Sequence, residues 1–251
     1  MPEERRSTSE GRPGILWVWG PRTMEYRAAW DLQRSLFSAR TRGEIPDTLL
    51  LLEHPPVFTI GRSGGQGDFR LPASRLSGLG IPVIECDRGG RVTFHGPGQL
   101  VGYPILDLAQ HRRDVHWYLR TIEEVLIVTL DQFGIRAQRR PGLTGVWVDE
   151  QKIAAIGIKV SRWVTMHGFA LNVATDLHHF NYIVPCGIRN LGVTSMARVL
   201  GHKVDLLEVA DACVRAFAER FGFAEYRYVS GDLLALLKVG GSSVTAGEQN
   251  P

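Results

Sequence analysis

Apolar residues recur along the chain with two distinct periods. Between residues 21 and 42, Ala29, Leu32 and Leu36 fall on one helical stripe and Gly43 supplies a stop, which predicts a first helix over 21–42. The strongest helical pattern covers 114–133. There Tyr118, Ile122, Val125, Leu126, Thr129 and Phe133 repeat at helical spacing, Asp114 can cap the start and Gly134 ends the run. A last helix is predicted over 205–221, where Asp205 and Glu208 have capping-box spacing and Gly222 follows as C-cap. Short apolar runs predict strands at 49–52 and 57–60, split by Pro55-Pro56, and at 82–86, 91–94 and 100–106. Residues 145–148 and 152–160 predict a hairpin around Asp149-Glu150, continued by a strand over 163–173. Many strands and few helices predict an α/β or α+β fold, a mixed β-sheet flanked by helices. The polar, apolar-poor ends, 1–13 and 240–251, predict disordered tails, leaving 14–239 as a single domain.

Composition narrows the class. The chain has 251 residues, 44% hydrophobic and 22% charged, enough for a buried core without disulfide or metal staples. Its longest apolar runs, such as 153–158, fall far short of the ~18–20 residues of a membrane span. The N-terminus lacks a signal-like apolar stretch, so a cytoplasmic protein is expected. Three cysteines (Cys86, Cys186 and Cys213) without a CxxC pair argue against disulfides and structural zinc. The histidines show no repeating ligand spacing, so neither a metal nor a cofactor is expected. A net charge of +3 without a dense basic block gives no reason to expect nucleic acid. Lysine is scarce: Lys152, Lys159, Lys203 and Lys238 stand against 25 arginines, the 29 basic residues less these four.

Three segments carry candidate chemistry. The first, 88–108, reads RGGRVTFHGPGQLVGYPILDL and is rich in glycine and proline although it otherwise reads as strand. Such glycines suit close approach of backbone to a ligand, or simply a tight turn. Gly96, Gly98 and Gly102 are spaced one residue too far for a dinucleotide fingerprint, and no G-K-[ST] occurs. The second segment, 151–173, is QKIAAIGIKVSRWVTMHGFALNV. Ala154, Ala155 and Gly157, with Gly168 and Ala170, strip side-chain bulk from two neighbouring strands. That forms either the wall of a slot for an aliphatic chain or close packing of strand on helix. The third, NYIVPCGI, places Cys186 between proline and glycine in an expected loop. Cys213 lies on the apolar stripe of the last helix and reads as core, and Cys86, at a strand end, as structural.

Together these segments resemble the octanoyl-[acyl-carrier-protein]:protein N-octanoyltransferases, the lipoate biosynthesis protein B family. RGGRVTFHGPGQLVGY is similar to that family's signature, and LLEHPPVFTIGR, KIAAIGIKV, HGFALNV and PCGI follow its order. The resemblance covers roughly residues 49–201. It implies the fold of the biotin and lipoate protein ligases. It also implies octanoyl transfer from acyl carrier protein to a lysine of a lipoyl domain, as found in 2-oxoacid dehydrogenases and the glycine cleavage H protein. Lys152 and Cys186 have the family's catalytic separation of 34 residues (186 − 152), so the resemblance makes them the catalytic pair. It places the acyl group against Arg88, Gly89, Gly90, Arg91, Val92, Thr93, Phe94 and His95. Ala155, Ile156, Gly157, Gly168, Phe169 and Ala170 complete the implied binding positions.

The implied chemistry suits these residue types. A thiolate at Cys186 exchanges one thioester for another, which is near energetic balance and needs no nucleotide. A free thiol near pKa ~8.5 is mostly protonated at neutral pH, and a neighbouring ammonium at Lys152 favours the thiolate. Neutral Lys152 could then take a proton from the incoming amine, while backbone N–H groups near Gly187 or in the 88–95 turn hold the oxyanion. Two competing expectations are an ATP-dependent lipoate or biotin ligase, which would not need Cys186, and a non-catalytic acyl- or carrier-protein-binding module.

Overall fold

The computed structural model describes residues 14–184 and 192–231, with Leu233 and Ala235. In chain order the principal elements begin with β1 (Ile15–Thr23), α1 (Tyr26–Thr41), β2 (Thr48–Glu53), β3 (Val57–Ile60), α2 (Ala73–Ser77), β4 (Val83–Glu85), β5 (Val92–His95) and β6 (Gln99–Ile105). They continue with α3 (Val115–Asp131), β7 (Gln138–Arg140), β8 (Leu143–Val148), β9 (Gln151–Ser161) and β10 (Val164–Asn172). After the undescribed segment come β11 (Gly192–Val193), α4 (Met196–Leu200), α5 (Leu206–Phe221) and β12 (Glu225–Tyr228).

The main sheet runs β12-β1-β2-β6-β10-β9-β8-β7, with β11 also pairing β9. It is mixed: β1 is parallel to both neighbours, whereas β2, β6, β10, β9, β8 and β7 pair antiparallel. Strand β2, TLLLLE, shows why. Leu49 and Leu51 point into the layer of α3 and α5, and Leu50 and Leu52 into the layer of α1. A strand covered on both faces needs apolar residues in succession rather than in alternation. A smaller sheet, β4-β3-β5, packs its own core of Phe58, Ile60, Val92 and Phe94 beside the main one. The expected mixed sheet flanked by helices is thus present. No helix among the described residues is long and apolar enough to cross a membrane.

Helix caps follow the sequence closely. Asp114 accepts from the Trp117 N–H at 3.0 Å and opens α3. Asp205 accepts from the Leu207 N–H, and Gly222 closes α5 in the left-handed region at φ 75°. The first helix starts later than the apolar stripe predicts. Residues 21–23 prolong β1, because pairing with β2 resumes beyond Gly20-Pro21, Arg22 opposite Leu52 and Thr23 opposite Glu53. Both predicted tails lie outside the described residues.

A buried ionic knot ties α1 to the sheet. Asp47 accepts from Arg40 Nε at 2.7 Å, His111 Nε2 at 2.6 Å and the Asp107 N–H at 2.9 Å. Burial alone would raise its pKa, but the His111 hydrogen bond and the Arg40 charge outweigh it and hold the carboxyl below its usual value. Its stabilising contribution is therefore present above the ordinary carboxylate pKa of ~3.9 and disappears as pH falls through the depressed one. Asp47→Asn leaves the Arg40 cation buried without its main counter-charge and is expected to cost about 3 kcal/mol, read from urea unfolding near neutral pH. An unchanged urea midpoint would show that the knot contributes nothing.

Candidate active site

A slot opens between the main sheet and β5. On its floor, Ala155 pairs with Ala170 and Gly157 with Gly168 across β9 and β10. Val92, Thr93 and His95 of β5, with Arg88, Gly90 and Arg91 ahead of it, line the other wall. The cavity holds about 510 Å³ of atom-free space, its open mouth included. The small residues have two separate reasons. At Gly157 a Cβ would lie 2.9 Å from Gly89 O, and at Gly168 one would lie 2.2 Å from Gly102 O, so both permit close backbone approach. Ala155 and Ala170 instead leave open space. Ala154 faces the α3–α5 core, away from the slot.

The roof is fixed. The Gly89 N–H donates to Ile158 O at 2.9 Å. Arg88 is buried and donates to Thr59 O, Thr59 Oγ1, Arg91 O and Gly89 O. Arg91 donates to Asp68 Oδ1 from both Nε and Nη2. Both guanidinium groups therefore brace the loop that covers the slot. Of the expected binding positions, Gly89 and Phe94 do not line this cavity. Gly89 borders the adjoining groove, and Phe94 lies in the small sheet's core, stacked on His179. Four lining residues escaped the sequence reading: Tyr26, Val101, Tyr103 and His167. His167 immediately precedes Gly168 in HGFALNV, and Tyr103 ends the long signature. Tyr26 has no sequence signal.

Lys152 stands where two features meet. An extension of the slot, sharing Thr93, Ala155 and Ala170 with it, ends on Lys152, Gln99 and Asn172. A second groove, bordered by Leu119, Gly142, Leu143 and Ile158, reaches the same lysine. Although only 6% exposed, Lys152 donates from Nζ to Thr144 O at 3.0 Å, and its ammonium lies 4.7 Å from the Trp147 ring centroid. Cys186 and Gly187 lie outside the described residues. On one side of that segment, the Val184 N–H donates to Asp68 O at 2.7 Å. On the other, Gly192 and Val193 pair with Gln151 and Lys152. Cys213 is buried in α5, where desolvation pushes its thiol up to about 12, and Cys86 donates to Ile60 O. Neither carries the features of a nucleophile.

A polar chain runs behind the slot. Gln99 Nε2 donates to Asn172 Oδ1 at 2.9 Å, and Asn172 Nδ2 donates to Thr194 O. Gln99 Oε1 must then accept from His95 Nδ1 at 2.7 Å, which leaves the lone pair of a neutral ring on Nε2. Burial, reinforced by His54, holds the His95 pKa well below its ordinary value. His54 is lowered to about 4 by burial, donating to Met24 O and accepting from Tyr103. His167 donates from Nε2 to Asp87 Oδ1 at 2.7 Å, and Asp87 also accepts from Lys159. Burial works against the Asp87 carboxylate, but these two hydrogen bonds prevail and bring its pKa down to about 2. Lys159 is thereby engaged with Asp87 and borders neither the slot nor its extension. Among the described residues, no group of three or more His, Cys, Asp or Glu is arranged to hold a metal ion.

Comparison with known proteins gives the family and the fold. The lipoyl protein ligase A/B catalytic domain family matches residues 25–218. An octanoyltransferase of Rubrobacter xylanophilus is 51% identical over 225 residues, covering 88% of this chain and 97% of its own. One of Solibacter usitatus is 52% identical over 200 residues, covering 80% of this chain and 90% of its own. Among solved structures, an ATP-bound lipoate-protein ligase A superposes with a TM-score of 0.67 at 17% identity, over 91% of this chain and 94% of its own. The bi-partite lipoate protein ligase of Thermoplasma acidophilum gives 0.66 at 18% identity, covering 91% of each chain. These two show the shared fold, while the sequence relatives show the branch: the chain belongs to the lipoyl protein ligase A/B catalytic-domain family and, within it, to the octanoyltransferases.

Proposed function

We propose that this octanoyltransferase works through a covalent thioester on Cys186, with Lys152 as the proton carrier. The observation that carries the reading is Lys152 itself, a buried amine where the slot's extension, walled by Ala155, Ala170 and Thr93, meets a second groove. The donor is octanoyl-acyl carrier protein. The Cys186 thiolate attacks the octanoyl carbonyl, a new C–S bond forms as the bond to the pantetheine sulfur breaks, and that sulfur leaves as a thiol with the proton of the Lys152 ammonium. The acceptor is a lysine of a lipoyl domain, as in 2-oxoacid dehydrogenases and the glycine cleavage H protein. Its amine attacks the Cys186 thioester, the C–N bond forms, and the Cys186 sulfur departs as thiolate. Neutral Lys152 takes the proton that the attacking amine must lose. Both steps exchange bonds at one carbonyl, so no nucleotide enters.

Incubation with octanoyl-acyl carrier protein in the absence of ATP is expected to leave one octanoyl adduct per chain, mapped by peptide mass to Cys186. Adding a lipoyl domain should discharge it. Strict dependence on ATP would replace this reading with that of a ligase, and binding without adduct or transfer would replace it with that of a carrier-binding module.

A further inference from the structure

We infer that Glu123 is a positioning residue for the acyl transfer, holding the turn that fixes Lys152; this rests on the reading of Lys152 given above. Glu123 sits in the middle of α3 and is fully buried, an unusual place for a carboxylate. Its two oxygens have different partners. Oε2 accepts from Arg120 Nη1 at 2.6 Å and lies 3.2 Å from Arg139 Nε, and both arginines reach solvent. Oε1 points inward and accepts the Gly145 N–H at 3.1 Å.

Gly145 is the contact point with Lys152. Its φ is +118°, and a Cβ there would lie 2.6 Å from Ala154 O and 3.3 Å from Lys152 Cε. The preceding carbonyl, Thr144 O, is the acceptor of Lys152 Nζ. Thr144 O and the Gly145 N–H belong to the same peptide unit. Fixing one end of that planar group with a buried carboxylate aims the other end at the ammonium. A helix carboxylate is thereby coupled to a strand lysine through one peptide plane. Solvent-exposed Glu124, one position along, pairs with Arg139 and has no such route.

Three variants test this by steady-state transfer from octanoyl-acyl carrier protein to a lipoyl domain, with thermal unfolding recorded for each. Glu123→Leu removes the acceptor and is expected to lower kcat on the order of 100-fold with little change in KM for the donor. Glu123→Gln keeps an amide oxygen for the Gly145 N–H and is expected to recover about tenfold of that loss. Full kcat in folded Glu123→Leu, equal impairment of both variants, or a loss confined to KM overturns the inference. Should Glu123→Leu not fold, Glu123→Gln is compared with the unsubstituted protein together with hydrogen exchange at the Gly145 amide. A kcat lowered about tenfold together with a Gly145 amide that exchanges faster supports the inference, and an unchanged kcat with a faster-exchanging amide, or a lost kcat with a fully protected one, overturns it. Lys152→Ala separates the two levels. If it still transfers, the reading of Lys152 falls and this inference with it. If it does not, while Glu123→Leu does, only this inference falls.

Discussion

Lys152→Ala is expected to reduce octanoyl transfer by roughly 10³-fold, the middle of the range for loss of a positioned acid–base group. The decisive companion is Lys152→Arg. A guanidinium keeps the positive charge beside Trp147 and the donor for Thr144 O, but it does not give up a proton at working pH. If Lys152 carries protons, arginine is as inactive as alanine. If Lys152 serves by charge alone, arginine restores much of the rate. Following the two half-reactions separately, Cys186 acylation by mass and discharge by amide formation, shows which one needs the amine. Full turnover by Lys152→Ala would remove this lysine from the mechanism.

Ala155→Phe is expected to reverse the chain-length preference. The Ala155 side chain borders both the slot and its extension toward Lys152, and it lies opposite Ala170. An aromatic ring there fits a strand backbone but occupies the path of an extended chain. Transfer from an octanoyl donor should fall on the order of 100-fold in kcat/KM, while a butanoyl donor loses far less. Equal losses for the two donors would mean that the slot does not hold the chain. Gly157→Ala and Gly168→Ala make useful contrasts. Their methyl groups would meet carbonyl oxygens rather than empty space, so the damage should appear in the melting temperature and not in the ratio of the two donors.

Much of this arrangement is legible in the residues, because the signals are local. The leucine run of β2, the Asp114 and Asp205 caps and the Gly222 stop need only their own neighbourhoods to be read. The same is true of the bare positions on β9 and β10, since antiparallel neighbours joined by a short turn pair in a register that follows from the turn. That turn itself is unannounced. Arg162 and Trp163 adopt φ of 50° and 64°, where glycine or asparagine is the usual signal. The run Ile15–Trp19 of strand β1 is a readable strand signal absent from the elements predicted above, and only its continuation past Gly20-Pro21 is hidden. Tyr26, Tyr103 and His167 stayed out of sight because their place depends on long-range pairing. Only after β6 is seated against β10, and α1 across both, do these rings reach the cavity. Glu123 is silent for the same cause: a carboxylate on a helix reads as surface until its strand partner is known.

The roof over the slot has a kinetic consequence. Arg88 is clamped to Thr59, and the Gly89 amide is laced to β9, so the covering loop is a riveted plate and not a hinged door. On the proposed reading, a fatty chain is expected to load lengthwise from the Lys152 end, methyl end foremost, like a cable drawn into a conduit, and to leave the same way as the amide. A linear donor should therefore outpace one branched close to the carbonyl, whatever the affinity of either for grease.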